Sequence, residues 1–325
     1  MNGVAKNRLR KFASVLLGGL AWAVLAAGSA ADWFVLGTID LLFLLAPLVI
    51  VPLGLEFLRR HGDSGSSALY RAARLLQPPG AALAVASFFL LEGRTAAGLA
   101  CAWLLVCILV GLSGAICVLR GAFHSLVAAC FAAGPIYLVV GGAWLVLSRL
   151  GASPAGFAEP IVLLTAVHFH YTGFALPLIA GATGRALNFP PPRVPRLVRL
   201  VVLGILVGPV LLAAGFVFSP VLKVCAAVLL AAATIGLSGL LVLALPRVRP
   251  RPAQALLVGA AGSLGAAMAL AGVYAVGEFV QRYWLLIPQM ARFHGVANGL
   301  GFTLCGLLAW TLESRPSNGT AGVNP

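Results

Sequence analysis

Two histidines, one residue apart, sit in the middle of a long apolar run: Thr165-Ala166-Val167-His168-Phe169-His170-Tyr171-Thr172-Gly173-Phe174. Histidine titrates near neutral pH and can act as acid, base, proton relay or metal ligand. On a helix, residues two apart point about 200° away from each other. His168 and His170 therefore cannot chelate one ion as an i, i+4 pair would; each needs its own partner or serves its own site. His168 shares a face with Tyr171 and Thr172, one turn on. A second polar group follows later in the chain: Glu278, Gln281, Arg282, Arg292, His294 and Asn298. His294 and Asn298, at i and i+4, stack on one helical face, and Arg282, four residues after Glu278, is its nearest candidate cation. Either this face converges with His168 or His170 into one outward-facing polar cavity, or Glu278 makes an ordinary interfacial ion pair. The histidines could then simply hydrogen-bond neighbouring helices. His168, His170 and His294, with a carboxylate such as Glu278, would suffice for a zinc-type site if their helices meet. Secondary candidates are Asp40, Glu92, Glu159, Arg282 and Arg292. His124 reads as an interfacial residue and His61 as a solvated loop residue.

The elements that must carry these side chains are membrane helices. Of 325 residues, 61% are hydrophobic and 9% charged, and the mean hydropathy is +1.03. Soluble chains carry roughly 25% charged residues, so this chain cannot cover a water-facing surface. Runs of about 20 apolar residues mark spanning helices. They fall near 12–31, 33–57, 79–92, 96–118, 124–148, 158–182, 197–218, 220–245, 254–280 and 294–312. The fold class expected is an all-α polytopic bundle of about ten spans. The third run is short, is flanked by Pro78, Pro79, Glu92 and Arg94, and reads as tilted or re-entrant.

The positive-inside rule orients these spans. With the N-terminus inside, 17 of the 22 Lys and Arg residues fall on inner segments. Five, namely Arg94, Arg149, Lys223, Arg282 and Arg292, fall outside. Both termini are therefore expected in the cytoplasm, with the inner basic loops facing anionic lipid head groups. The net charge of +14 is topogenic rather than a nucleic-acid footprint. Residues 1–31 have the form of a signal peptide, ending Gly28-Ser29-Ala30-Ala31, but read better as an uncleaved first span. Residues 61–78 read as a Gly/Ser turn followed by a basic amphipathic stretch on the inner interface. Residues 185–199, with Pro190, Pro191, Pro192 and Pro195 among four arginines, read as a stiff inner loop joining possible sub-bundles 1–184 and 200–325. The pairs Gly204/Gly208 and Gly295/Gly299 have the spacing that lets helices approach closely. The six cysteines lie inside apolar runs without metal-finger spacing, so no disulfide framework is expected. An arginine-to-lysine ratio of 19 to 3 suits a GC-rich bacterium, and the cytoplasmic membrane is the expected location.

The segment His168-Phe169-His170-Tyr171-Thr172-Gly173-Phe174-Ala175-Leu176-Pro177-Leu178, followed by Ala180-Gly181, resembles a signature of YndJ-like bacterial membrane proteins. The stretch His294-Gly295-x-x-Asn298-Gly299-x-Gly301-Phe302, ending Gly306-Leu307-Leu308-Ala309-Trp310, is similar to a second motif of that family. The resemblance covers most of the chain and implies an integral membrane protein in which these histidines matter, without assigning their role. The tetrapeptide His168-Phe169-His170-Tyr171 is also similar to one in haem–copper oxidase subunit I, where two histidines on opposite helix faces ligate two haems. This chain has five histidines and no His-His dipeptide for a copper centre.

Three functions stay open: a transporter or permease with proton-relay histidines, a membrane-embedded metal- or haem-dependent enzyme, and an accessory structural membrane protein. The number of spans favours the carrier, and the broken sixth span (Gly173, Pro177) suits it. The absence of an internal repeat weighs against it. No Ser/His/Asp elbow, His-Glu-x-x-His or phosphate loop is present.

Overall fold

The computed structural model describes residues 3–61, 68–189 and 194–313. Residues 62–67 of the Gly/Ser turn, Pro190–Arg193 of the proline-rich loop and Arg315 lie outside the described residues. Ten helices follow one another, and no strand occurs among the described residues. Helix α1 is Gly3–Ala30. Helix α2 runs Thr38–Leu45, then through a wide π turn at Ala46–Ile50, then Val51–His61. Helices α3, α4 and α5 are Ala68–Ser87, Arg94–Leu119 and Leu126–Leu150. Helix α6 is Ile161–His168, a π segment Phe169–Ala175, and Leu176–Leu187. Helices α7, α8 and α9 are Arg196–Phe218, Pro220–Ala244 and Arg251–Phe279. Helix α10 starts at Ile287–Met290, passes through π segments Ala291–Gly295 and Ala297–Leu304, and ends as Cys305–Leu312.

Nine of these helices are long and apolar enough to cross a membrane. The exception is α3, and here the structure corrects the sequence reading. The basic stretch from Ala68 and the first part of the short span, to Ser87, are one helix that continues through Pro78 and Pro79. The two prolines remove backbone donors, and two arginines and Gln77 lower the hydropathy of the helix below that of the other nine. Packing holds the helix instead. A side chain at Gly80 would stand 2.9 Å from Val106 and 3.2 Å from the Ala102 carbonyl of α4. Helix α3 runs antiparallel to α2 along its whole length. The Tyr70 hydroxyl donates to the Leu55 carbonyl, the Gln77 amide donates to Pro47 O at 2.8 Å, and Phe88 stacks on Phe43. His61, expected in a loop, closes α2.

Helices α2 and α6 form the centre. In α2, 94% of the most apolar window is buried in the protein, and in α6, 72%; the other spans range from 22% to 50%. A helix that is apolar all round belongs in an interior, and α2 indeed touches α1, α3, α6 and α10, while α6 touches α5, α7, α8 and α10. The outer helices turn rows of leucine and valine outward, such as Leu16, Leu17 and Leu20 of α1 and Leu200, Val207 and Val210 of α7. Both small-residue pairs lie at helix contacts. Cβ atoms at Gly204 and Gly208 would come within 2.7 Å of Ala233 and Leu230 of α8, and one at Gly295 within 2.5 Å of Leu42.

The two ends of the bundle differ. At one end Glu56, 2% exposed, receives Arg59 at 2.7 and 2.8 Å and Arg60 at 2.9 Å, with Arg74 of α3 at 3.6 Å. Arg60 also donates to Thr311 O of α10 at 2.7 Å. At the other end, Asp40, Glu92, Arg149, Glu159 and Ile287 surround one cavity.

Candidate functional site

The π segments of α2 and α6 and the second π segment of α10, Ala297–Leu304, pack against one another at mid-bundle. Wide turns of this kind free carbonyl groups and recur at functional sites. In α2, Pro47 lacks an N–H, and Val51 N–H bonds to Ala46 O, five residues back. The Pro47 carbonyl so released accepts from Gln77, and the Leu42 carbonyl accepts the Tyr171 hydroxyl at 2.7 Å. In α6, Leu176 N–H goes to Tyr171 O and Pro177 has no N–H, so the carbonyls of Thr172 and Gly173 lose their i+4 donors.

The π segment also separates the two histidines. His170 is fully buried. Its Nδ1 lies 2.8 Å from Ala166 O, and because a carbonyl only accepts, Nδ1 carries the proton. Its Nε2 then accepts from Trp103 Nε1–H at 2.9 Å. Phe43 meets the ring edge-on with centroids 5.1 Å apart, and Gly141 leaves the room it needs, since a Cβ there would stand 2.6 Å from Nδ1. Both ring nitrogens of His170 are thus occupied. A haem iron or other metal on His170 would have to displace one of these bonds. His168 faces the opposite way. Its Nδ1 bonds to Leu164 O at 2.7 Å, and its Nε2 looks into a cavity without a partner among the described residues.

That cavity, about 680 Å³, lies between α6 and helices α7 to α10. Tyr171, Thr172, Lys223, Tyr274, Glu278, Gln281, His294 and Asn298 also line it, set in apolar walls that include Leu212, Phe216, Leu264 and Met268. His294 bonds through Nδ1 to Ala267 O at 2.9 Å, halfway along α9 and deeper than its sequence position suggests. The Asn298 amide lies 3.2 Å from His294 Nε2 and 3.3 Å from Nδ1, as the i, i+4 spacing implies.

Two expectations change. Glu278 pairs with Lys223 of α8 at 2.8 Å, not with Arg282. Helix α9 stops at Phe279 and the chain turns at Gln281 with φ 56°, so Arg282 is not one helical turn beyond Glu278. Arg282 and Arg292 are exposed and do not line the cavity; Arg292 lies over Phe293. The zinc-type set of His168, His170, His294 and Glu278 does not assemble, because His170 points away, and no three His, Cys, Asp or Glu side chains among the described residues are close enough to hold a metal.

Asp40, Glu92 and Glu159, scattered in the sequence, line the cavity of about 630 Å³ at the Asp40 end, together with Ser148 and Arg149. Ile287 and Ala291 of α10 line both cavities. The sequence reading passed over Glu56, Trp103, Arg149 and Lys223. Glu56 carried a usable signal, a carboxylate inside an apolar run with arginines at i+3 and i+4. The other three acquire their roles only from distant partners.

Comparison with known proteins agrees with this architecture. The "Uncharacterized membrane protein YndJ" of Bacillus subtilis (strain 168) is 33% identical over 180 residues, 55% of this chain and 32% of the relative. The chain therefore spans about a third of that relative's length. No solved structure matches. The family model described as YndJ-like protein matches residues 41–302, from α2 into the last π segment of α10, including the His168 motif and the His294–Phe302 part of the second. The chain is a membrane protein and belongs to the YndJ-like family.

Proposed function

We propose that this protein is a carrier of the bacterial cytoplasmic membrane, with both termini inside and a small amphipathic molecule bound in the larger cavity. The observation that carries this reading is the cavity's composition. A space of about 680 Å³ has the size of a small-molecule site, and such sites are apolar with a few convergent polar groups. Here those groups are the Lys223–Glu278 pair near the Asp40 end and His168, His294 and Asn298 further in. A charged or polar head would exchange partners with Lys223 or Glu278 while its apolar part lies along α7 and α9. His168 and His294, each with one nitrogen held by a carbonyl, are the candidate proton relay, and ionisable groups within a membrane mark such paths. His170, whose ring is fully engaged, serves as a packing and positioning residue. The arginines near Glu56 would face anionic head groups of the inner leaflet.

A carrier must open its cavity to both sides, and that is measurable without knowing the substrate. In a background with the six cysteines replaced, Ala271→Cys, which lines the cavity, is exposed to a membrane-impermeant cationic methanethiosulfonate from either side of oriented vesicles. Labelling from both sides supports the carrier. Labelling from one side alone, at every pH tried, sinks it in favour of an enzyme or accessory role.

A further inference from the structure

The smaller cavity has an unsatisfied floor. Arg149 is 9% exposed and Ser148 1% exposed, yet Arg149 Nε and Ser148 Oγ, both closed off from solvent, have no hydrogen-bond partner among the described residues. Buried polar groups are almost always paired, because leaving one unpaired costs its full desolvation. The Arg149 guanidinium lies over the Phe88 ring at 4.9 Å and makes no ion pair among the described residues. Its backbone is fixed, since Arg149 O accepts Gly93 N–H at 2.9 Å. That bond also sets Glu92 beside the end of α5.

Three carboxylates share this cavity. Asp40 Oδ2 accepts Gly37 N–H at 2.8 Å and Glu159 Oε2 accepts Leu163 N–H at 3.1 Å, so each is held by one oxygen while the other stays available. Glu92 lies against Gly151, its Oε2 3.2 Å from where a Cβ would stand. The cavity thus presents two kinds of demand at once, an unpaired cationic donor set in the floor and carboxylate oxygens around it. A simple anion would meet three like charges on entry. A simple cation would leave Arg149 unpaired and add a like charge beside it.

We infer that this cavity binds a zwitterion, an ammonium group joined by a short linker to an oxyanion. The oxyanion accepts from the Arg149 guanidinium, a small side-chain rotation bringing Nε and the neighbouring Ser148 Oγ to it, and the ammonium sits among Asp40, Glu92 and Glu159. Free amino acids and the head group of an aminophospholipid both carry this chemistry. The site is distinct from the larger cavity and does not depend on the carrier reading.

The test uses the full chain in detergent, stripped of native lipid, with thermal unfolding as readout. Glycine, β-alanine and γ-aminobutyrate are titrated beside acetate plus methylammonium, which supply the two charges unlinked. In parallel, phosphatidylglycerol nanodiscs with and without phosphatidylethanolamine are compared. Linking two binding groups raises their effective concentration, so at least one zwitterion is expected to raise the midpoint at about tenfold lower concentration than the unlinked pair. Ser148→Ala and the exposed-site variant Glu92→Gln should each weaken the response by about fivefold, without depending on Arg149, whose replacement risks misfolding. Stabilisation by amino acids identifies a soluble ligand, and stabilisation by phosphatidylethanolamine alone identifies lipid; either supports the inference. No response to any zwitterion, equal potency of the unlinked charges, or an unchanged response in both variants overturns it.

Discussion

Replacing Trp103 with Phe tests the structural assignment of His170. Both side chains are fully buried, and the indole N–H is the donor that satisfies His170 Nε2, at 2.9 Å. In Trp103→Phe that nitrogen keeps no donor, which costs about 1–3 kcal/mol in a dry interior. The smaller ring leaves a void of about 40 Å³, worth roughly 1 kcal/mol at about 24 cal/mol per Å³. The single variant should therefore lose about 2–4 kcal/mol. His170→Phe in the same background removes the stranded acceptor and restores an apolar pair, so the double variant should be less destabilised than the sum of the singles. Hydrogen bonds between membrane helices couple by about 0.6 kcal/mol on average and up to about 1.7. A dry pair with a single donor belongs at the upper end, at about 1–1.7 kcal/mol. The assay is reversible unfolding in mixed dodecyl maltoside and sodium dodecyl sulfate micelles, followed by circular dichroism because one of the six tryptophans is removed. A coupling below about 0.3 kcal/mol would refute the reasoning, as would a haem band or bound metal lost specifically with His170.

Other perturbations follow from the same packing. Gly141→Ala places a Cβ 2.6 Å from His170 Nδ1 and 3.2 Å from Phe169 Cβ, so it should cost about 1–3 kcal/mol. Gly98→Ala, where nothing lies within 4 Å, should be neutral or slightly stabilising on the same unfolding curve. The Lys223–Glu278 pair is about a quarter to a third exposed, so a Lys223→Met, Glu278→Gln cycle should give a coupling of no more than about 1 kcal/mol, with Arg282→Ala unchanged. A larger effect at Arg282 than at Lys223 would contradict the observed pairing. Glu56→Gln removes the negative charge and one of the two acceptor oxygens that hold Arg59 and Arg60 and should cost about 2 kcal/mol. Faster hydrogen exchange at the end of α10, where Arg60 holds Thr311 O, is its signature, and unchanged exchange there would sever the link.

How far the chemistry can be read without coordinates depends on the range of each interaction. Local ones were legible. The apolar runs marked the helices, because a membrane interior admits little else. The two-residue spacing of His168 and His170 set them on opposite faces, and the four-residue spacing of His294 and Asn298 brought their side chains together. Even the π turns left a trace in Pro47 and Pro177, whose missing N–H groups prevent a regular ladder. The third expected run was given the wrong bounds because prolines, arginines and Gln77 lower its hydropathy, while its helix, Ala68–Ser87, is secured by contacts with α2 and α4.

What stayed hidden was every pairing between helices. Glu278 met Lys223, 55 residues away, rather than the adjacent arginine. His170 met Trp103, 67 residues away. Asp40, Glu92 and Glu159 gained meaning only when four helix ends placed them round Ser148 and Arg149. The amino-acid sequence by itself determined the membrane class, the helices and the faces of individual side chains, because those follow from solvent and from backbone period. Which histidine opens to a cavity, and which carboxylate finds which cation, was decided by tertiary packing alone. Contacts across a bundle depend on how each helix is rotated and staggered against the next, and no single helix encodes that.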